Sequence, residues 1–308
     1  MFPFAPSPLP FLLFLEAPMP GTITVGLDGT DHSLAAADWA AAEARRRGMA
    51  LRLVYAWVWR PLEVPAATDA EVQRRWAVDV LREAEERVTA GAPDLSVTTE
   101  LLPEDPVPAL IAAAAASEML VLGSRGHGAA VGFLIGSVAL KVLRRAEAPL
   151  VLVRNPRGQE LRPEGGEVVV GVQDLDEAAE PVLEFAFATA AARNARVRAV
   201  RAWSVPPVFA WSPGSMYLAD EAGGLEPLER KQLAEALLPW REKYPQVAVA
   251  EHAEVGSAAE VLLTHGARAS LIVVGRRIPG PGDLPLIGSV THAALHHARC
   301  PVAVVPHP

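Results

Sequence analysis

Residues 119–139 read MLVLGSRGHGAAVGFLIGSVA, and residues 271–291 read LIVVGRRIPGPGDLPLIGSVT. In each, four apolar residues run into a glycine, a loop follows, and Gly-Ser opens a second apolar pattern. A short apolar run ending at glycine predicts a parallel strand covered on both faces, and Gly-Ser before periodic apolar residues predicts the start of a helix. A strand–loop–helix unit of this length occurring twice points to a duplicated fold.

Working outward, the flanking blocks repeat in the same order. TITVGLDGT (22–30) is echoed by EVVVGVQDL (167–175), and LRLVYAW (51–57) by VRAVRAW (197–203). LIGSVALKVLRRAEAPLVLVR (134–154) returns as LIGSVTHAALHHARCPVAVVP (286–306). The period, about 150 residues, is that of a domain and not of a solenoid unit. The expected organisation is an unstructured extension over 1–20, a first domain over 21–154, a polar Gly/Pro-rich linker over 155–166, and a second domain over 167–308.

Strands and helices alternate within the first half. ITVGL is a strand. The Ala-rich run from Ser33 to Arg47 is a helix capped around Thr30 or Asp31 and stopped by Gly48. LRLVYAW is a second strand. The segment from Asp69 to Ala90 carries Val72, Trp76, Val80, Leu81, Ala84 and Val88 at helical spacing. SVTTELL, PVPALIAAAAAS and MLVLG follow as strand, helix and strand, and a helix from Ser137 to Arg145 precedes the last strand, PLVLVR. The predicted class is α/β: two tandem doubly wound domains, each with a five-stranded parallel sheet. Ligands of such sheets sit at the carboxyl ends of the strands where strand order reverses. With the first and fourth strands as neighbours, Asp28 and Gly123 flank that point.

Composition sets outer limits. Half of the 308 residues are apolar (51%) and 21% are charged, enough for a substantial packed core. A net charge of −8 gives no basic footprint for nucleic acid. A single cysteine, Cys300, excludes an internal disulfide and fits a reducing cytoplasm. The opening MFPFAPSPLPFLLFLEAPMP lacks Lys or Arg and is broken by prolines, so it reads as neither a secretion signal nor a membrane span. It reads as a leader, or as a start placed too early, with Met19 the alternative. A soluble cytoplasmic protein without a membrane partner is expected.

A phosphate needs amide donors and little bulk. Gly123 and Gly126 remove side chains from the loop, Gly136-Ser137 begins a helix with open amides, and Arg125 and His127 suit either a reach to phosphate oxygens or a solvent-facing place. The same glycines also suit a plain strand-to-helix crossover, and the residues alone leave both readings open. No GxxxxGK[ST], no GxGxxG after the first strand and no GxSxG is present.

The pattern Gly123-x2-Gly126-x9-Gly136-Ser137 resembles the nucleotide-loop signature of the universal stress protein family. VGLDGTDHS resembles that family's first strand and turn, and APLVLVR and CPVAVVP its last strand. The resemblance implies an adenine nucleotide alpha hydrolase-like sheet that holds ATP, with or without magnesium, in a stress-response regulator. It implies Asp28 at the adenine or ribose end and the Ala56 backbone at the adenine edge. Gly123, Gly126, Gly136 and Ser137 would surround ribose and phosphates, with Leu122 and Val138 beside them. The two domains are expected to pack as a pseudo-symmetric pair through their last strands, and pairs of chains can still form a homodimer. Two other readings are a protein-interaction module that binds no nucleotide and, less favoured, a slow ATPase or nucleotidyl transferase, for which no nucleophile–base pair is evident.

The second copy departs from the pattern. Gln173 stands in the place of Asp28, with Asp174 one position on, and Ile278 replaces Gly126. A β-branched residue resists positive φ and crowds a backbone–phosphate contact, and Pro279, Pro281 and Pro285 remove amide donors. A degenerate second site is expected, with Arg276 and Arg277 left to supply charge. His292, His296 and Cys300 have the spacing of metal ligands, but Pro301 ends the helix too early for all three to share a face. Glu83 and Arg87 read as an exposed i,i+4 pair. Trp57, Trp59, Trp203 and Trp211 read as core or interface residues.

Overall fold

The chain is described from a computed structural model covering residues 21–58, 70–124, 135–154, 166–204, 225–280, 282, 284 and 286–308. The expected extension, most of the expected linker, Arg125, Gly126, His127, Trp59, Trp211, Pro281 and Pro285 lie outside these residues.

Apolar runs in the first half form β1 (Thr22–Leu27), β2 (Ala50–Ala56), β3 (Val97–Leu102), β4 (Met119–Gly123) and β5 (Leu150–Val153). Those of the second half form β6 (Val168–Gly171), β7 (Val197–Trp203), β8 (Val249–Val255), β9 (Leu271–Arg277) and β10 (Val302–His307). The helices are α1 (Asp31–Arg47), α2 (Ala70–Gly91), α3 (Pro106–Ala115), α4 (Ser137–Leu143), α5 (Glu180–Ala192), α6 (Leu225–Lys243), α7 (Ala258–His265) and α8 (Ser289–His297). The start of α1 follows local chemistry. The Thr30 hydroxyl accepts from the Ser33 amide at 3.3 Å, and Gly48 closes the helix in the left-handed region.

Strand order is β3-β2-β1-β4-β5-β10-β9-β6-β7-β8 in one ten-stranded sheet. Within each half all pairings are parallel, and order reverses between β1 and β4 and between β6 and β9. The halves meet at an antiparallel seam, where Val302 pairs with Leu152 and Val304 with Leu150. The two five-stranded sheets are therefore continuous.

Alternation along the strands fills both faces. Ile23, Val25, Met119, Val121, Val151 and Ala303 meet α1, α2, α5 and α6 on one side. Leu120, Leu122, Leu150, Leu152, Val302 and Val304 meet α3, α4, α7 and α8 on the other. Both clusters run across the seam, so neither half owns a closed core. Each large aliphatic side chain buried this way contributes about 1.5–3 kcal/mol.

Polar contacts fix the seam from both sides. Glu43 of α1 is fully buried, 2.7 Å from Arg47 Nε and 3.0 Å from Arg193 Nε just beyond α5. Arg193 Nη2 is also 2.9 Å from the carboxylate, but off the direction of a hydrogen bond. Arg47 Nη2 donates to the Thr189 hydroxyl at 2.7 Å, and the Arg193 guanidinium lies 5.1 Å from the Trp39 ring centroid. Burial works to raise the Glu43 pKa, but the Arg193 and Arg47 guanidinium groups outweigh it and hold the carboxyl below its ordinary value. On the opposite face Arg276 donates to the Ala146 and Arg144 carbonyls behind α4, and Arg154 donates to the Leu295 carbonyl of α8.

One local expectation is corrected. Arg87 pairs with Asp38 of α1, Nη2 to Oδ2 at 2.7 Å, rather than with Glu83, because α1 lies alongside α2. The last helix ends at His297, so buried Cys300 lies beyond it, while His292 and His296 stack at 4.2 Å. Among the described residues no helix is long and apolar enough to cross a membrane.

Candidate nucleotide site

The carboxyl ends of β1 and β4 are adjacent, with Gly26 opposite Leu122. Gly123, which ends β4, and Asp28 and Ser124, just past β1 and β4, therefore lie at the reversal of strand order, and Ala56 ends β2 on the other side of β1. The Gly136 amide donates to the Ser124 carbonyl at 3.0 Å, so the chain on either side of the glycine loop is held together there. Gly136 precedes α4, no side chain caps that helix, and Ser137 and Val138 are exposed at its start. The first-turn amides of such a helix have no intrahelical acceptors and favour an anion.

Three residues take on roles beyond the expected ones. Oδ1 of Asp28 accepts from the Thr30 amide at 3.0 Å and the Thr30 hydroxyl at 2.6 Å, a local turn completed by Gly29 at φ +77°. A Cβ on Gly123 would meet the backbone of His32 at 2.7 Å, so this glycine lets α1 approach β4 whatever binds nearby. The Leu122 side chain is buried in the core, which leaves its backbone as the part near the cleft.

Tyr55 was not singled out by sequence reading, and Trp76 only as an apolar residue of α2. Tyr55 of β2 pairs in register with Leu27 of β1, and its ring meets Trp76 edge-on at 5.7 Å. Burial, then the Asp28 carboxylate, pushes the Tyr55 hydroxyl up to about 12, so it stays a neutral hydroxyl at the cleft. The only sequence signal was an aromatic residue next to Ala56 at a strand end.

In the second half the corresponding ends of β6, β7 and β9 and the start of α8 enclose a cavity of about 490 Å³. Aliphatic side chains, among them Val182, Val200 and Leu262, form its wall, and Gln173, Asp174, Arg277, Ser289 and His307 supply polar groups. Its polar chemistry differs from the first half. Arg276 is committed to the Arg144 and Ala146 carbonyls, and Arg277 pairs with Asp174 at 3.6 Å. The Gln173 carbonyl accepts from Arg201. The ladder between β9 and β10 runs on to Arg277 and His307, and the next amide, that of Ile278, donates to the His307 carbonyl at 2.7 Å. His307 also rests on Gly275, where a Cβ would meet Nε2 at 2.7 Å. Nothing in PVAVVPH marked this histidine as a cavity residue.

Comparison with known proteins matches the description "Universal stress protein family" to residues 19–154 and again to 166–306. Universal stress protein Rv2005c of Mycobacterium tuberculosis is 33% identical over 290 residues, covering 92% of this chain and 96% of its own. Universal stress protein Rv2623 of the same organism is 32% identical over 289 residues, covering 92% and 95%. A universal stress protein from Archaeoglobus fulgidus superposes with a TM-score of 0.67 at 18% identity, covering 93% of this chain and 98% of its own, a likeness of fold.

Proposed function

The chain belongs to the universal stress protein family, and from that premise we propose that it is an adenine-nucleotide-binding regulatory protein with its ATP site in the first domain. The observation that carries this reading is the convergence of Asp28, Gly123 and the uncapped start of α4 at one reversal of strand order. A phosphate suits the exposed first turn of α4, where Ser137 adds a hydroxyl donor. Gly126, Arg125 and His127, between Ser124 and Gly136 in the sequence, are assigned to the phosphates, and Ala56, which ends β2 beside β1, to the adenine edge. ATP, with or without magnesium, is bound, with at most weak hydrolysis. The second domain is degenerate as a nucleotide site, because the Ile278 amide is used by the strand ladder and Arg276 by the seam. The protein acts in the cytoplasm and responds to ATP through the stability of its bound state.

Denaturing the purified chain and analysing the supernatant by mass spectrometry tests this reading directly. Released adenine nucleotide, or an ATP-dependent rise in Tm, is expected, and an empty protein indifferent to ATP overturns it. The alternative, an interaction module without nucleotide, draws on the turn made by Asp28 and on the packing need met by Gly123. ATP hydrolysis at ordinary enzymatic rates would instead favour an enzyme.

A further inference from the structure

We propose that His252 and His265 form an acid-released clasp: a proton on His252 breaks its bond to Arg198 and frees α7, one wall of the second-domain cavity, from the edge strand β8. This does not depend on nucleotide binding by the first domain.

β8 ends the strand order, so His252 has a neighbouring strand on one side only. There it pairs with Val200 of β7, and Arg198, on the same face of β7, directs Nη1 at His252 Nε2 from 2.7 Å. A guanidinium only donates, so Nε2 is the acceptor, the ring is neutral and its proton sits on Nδ1. Arg198 is not free to turn away. Its Nε and Nη2 donate to the two oxygens of Glu167 at 2.8 and 2.9 Å, and Arg196 lies 3.4 Å from the same carboxylate. A second proton on His252 therefore sets one N–H against another at hydrogen-bond distance, and the ring has to leave.

The same ring lies 4.4 Å, centroid to centroid, from that of His265, the last residue of α7. His265 Nε2 is 3.0 Å from Glu254 Oε2, a carboxylate that favours the charged form of His265. A protonated His252 thus faces cations from two elements, Arg198 of β7 and His265 of α7. Burial, the largest influence, with His265 and Arg198 holds the His252 pKa below its ordinary value, against the pull of Glu167 and Glu254. From α6, Arg241 pairs with Glu251, which points to the opposite face of β8.

The clasped helix is otherwise lightly fastened. α7 has eight residues, and Ser257 at its N-cap makes no side-chain hydrogen bond. Its Ala258 and Leu262 line the second-domain cavity, so release of His265 loosens that wall. His252 is held neutral in the folded chain but charges freely in the unfolded one. Its contribution is therefore whole above the ordinary histidine range and is lost as pH falls through that range toward the lowered folded value.

Hydrogen exchange on the full chain tests this, with protection in α7 compared with that in α3, the corresponding helix of the first half. Between about pH 7.5 and about pH 5.5, either side of the ordinary histidine value, protection of α7 should fall at least about threefold relative to α3. His252→Gln, whose amide oxygen still accepts from Arg198 but takes no proton, should remove that fall and keep α7 protected at both pH values. In the unaltered chain, NMR should show the neutral His252 ring with its proton on Nδ1, and a second proton arriving below the ordinary histidine value. An equal response of α7 and α3, a fall that persists in His252→Gln, or a His252 ring that titrates at or above the ordinary value would each overturn the proposal. The NMR titration and the α7–α3 comparison decide it even where the variant does not fold. None of these readouts involves ATP, so the nucleotide reading stands or falls separately.

Discussion

The Ile278 amide donates to the His307 carbonyl at 2.7 Å, carrying the second domain's backbone ladder beyond the point where β4 stops at Gly123. The position aligned with Gly126 has thus become an extension of a strand edge.

Replacing Ile278 with glycine should therefore create no second nucleotide site, because the amide remains committed to His307. Calorimetric stoichiometry should stay at one ATP per chain. Gly126→Ile should lower ATP affinity at least tenfold, about 1.4 kcal/mol. Two sites in the Ile278→Gly chain would refute the argument from the ladder.

Gly123→Ala and Gly275→Ala should differ in cost. The first drives a Cβ to within 2.7 Å of the His32 backbone, so α1 itself has to move, at about 1–3 kcal/mol. The second meets the His307 ring and Val182 Cγ2, side-chain atoms that yield more readily, and should cost less. Urea denaturation of both variants measures the difference.

The buried Glu43 should dominate the acid sensitivity of the seam. Its folded pKa is lowered, so its contribution to stability is present above the ordinary glutamate range and lost as pH falls through the folded value. Glu43→Ala leaves Arg193 and Arg47 without their buried partner and should cost on the order of 3–5 kcal/mol at neutral pH. The penalty should shrink when denaturation is repeated in acid, and a penalty that grew on acidification would contradict the assignment.

Arg276→Met and Arg87→Ala separate buried from exposed cations. Arg276 is 4% exposed and donates to two carbonyls across the seam, so its loss should cost about 1–3 kcal/mol and weaken the contact between domains. Arg87 is exposed and its partner Asp38 half-buried, and removing the pair should cost under about 1 kcal/mol. Denaturant titration at low and high salt should show salt dependence for the Arg87 pair only.

Much of this architecture can be read from local pattern. ITVGL and MLVLG announce strands covered on both faces, Thr30 announces α1, and the repeated order of blocks announces two copies of one sheet. What local pattern misses lies far apart in sequence. Glu43 sits in AEARRR, which reads as a solvated charged turn until α5 is brought against it. Arg276 looks like a phosphate ligand until its acceptors prove to be carbonyls behind α4. Arg87 has Glu83 four residues away yet bonds Asp38 on another helix. At the candidate nucleotide site Asp28 and Gly123 were legible because strand ends and glycines carry signals. Tyr55, His307 and the cavity wall were not, since their roles arise only from neighbouring strands.

The antiparallel seam between β5 and β10 also sets which way each half looks. Because the strands of the two halves run in opposite senses, the openings at β1–β4 and at β6–β9 lie on opposite edges of one sheet. Occupants of the two openings do not share a wall, and a partner that covers one leaves the other in contact with water. Anything taken up at one opening would therefore sit on a separate front from anything taken up at the other, with the β5–β10 seam lying between them.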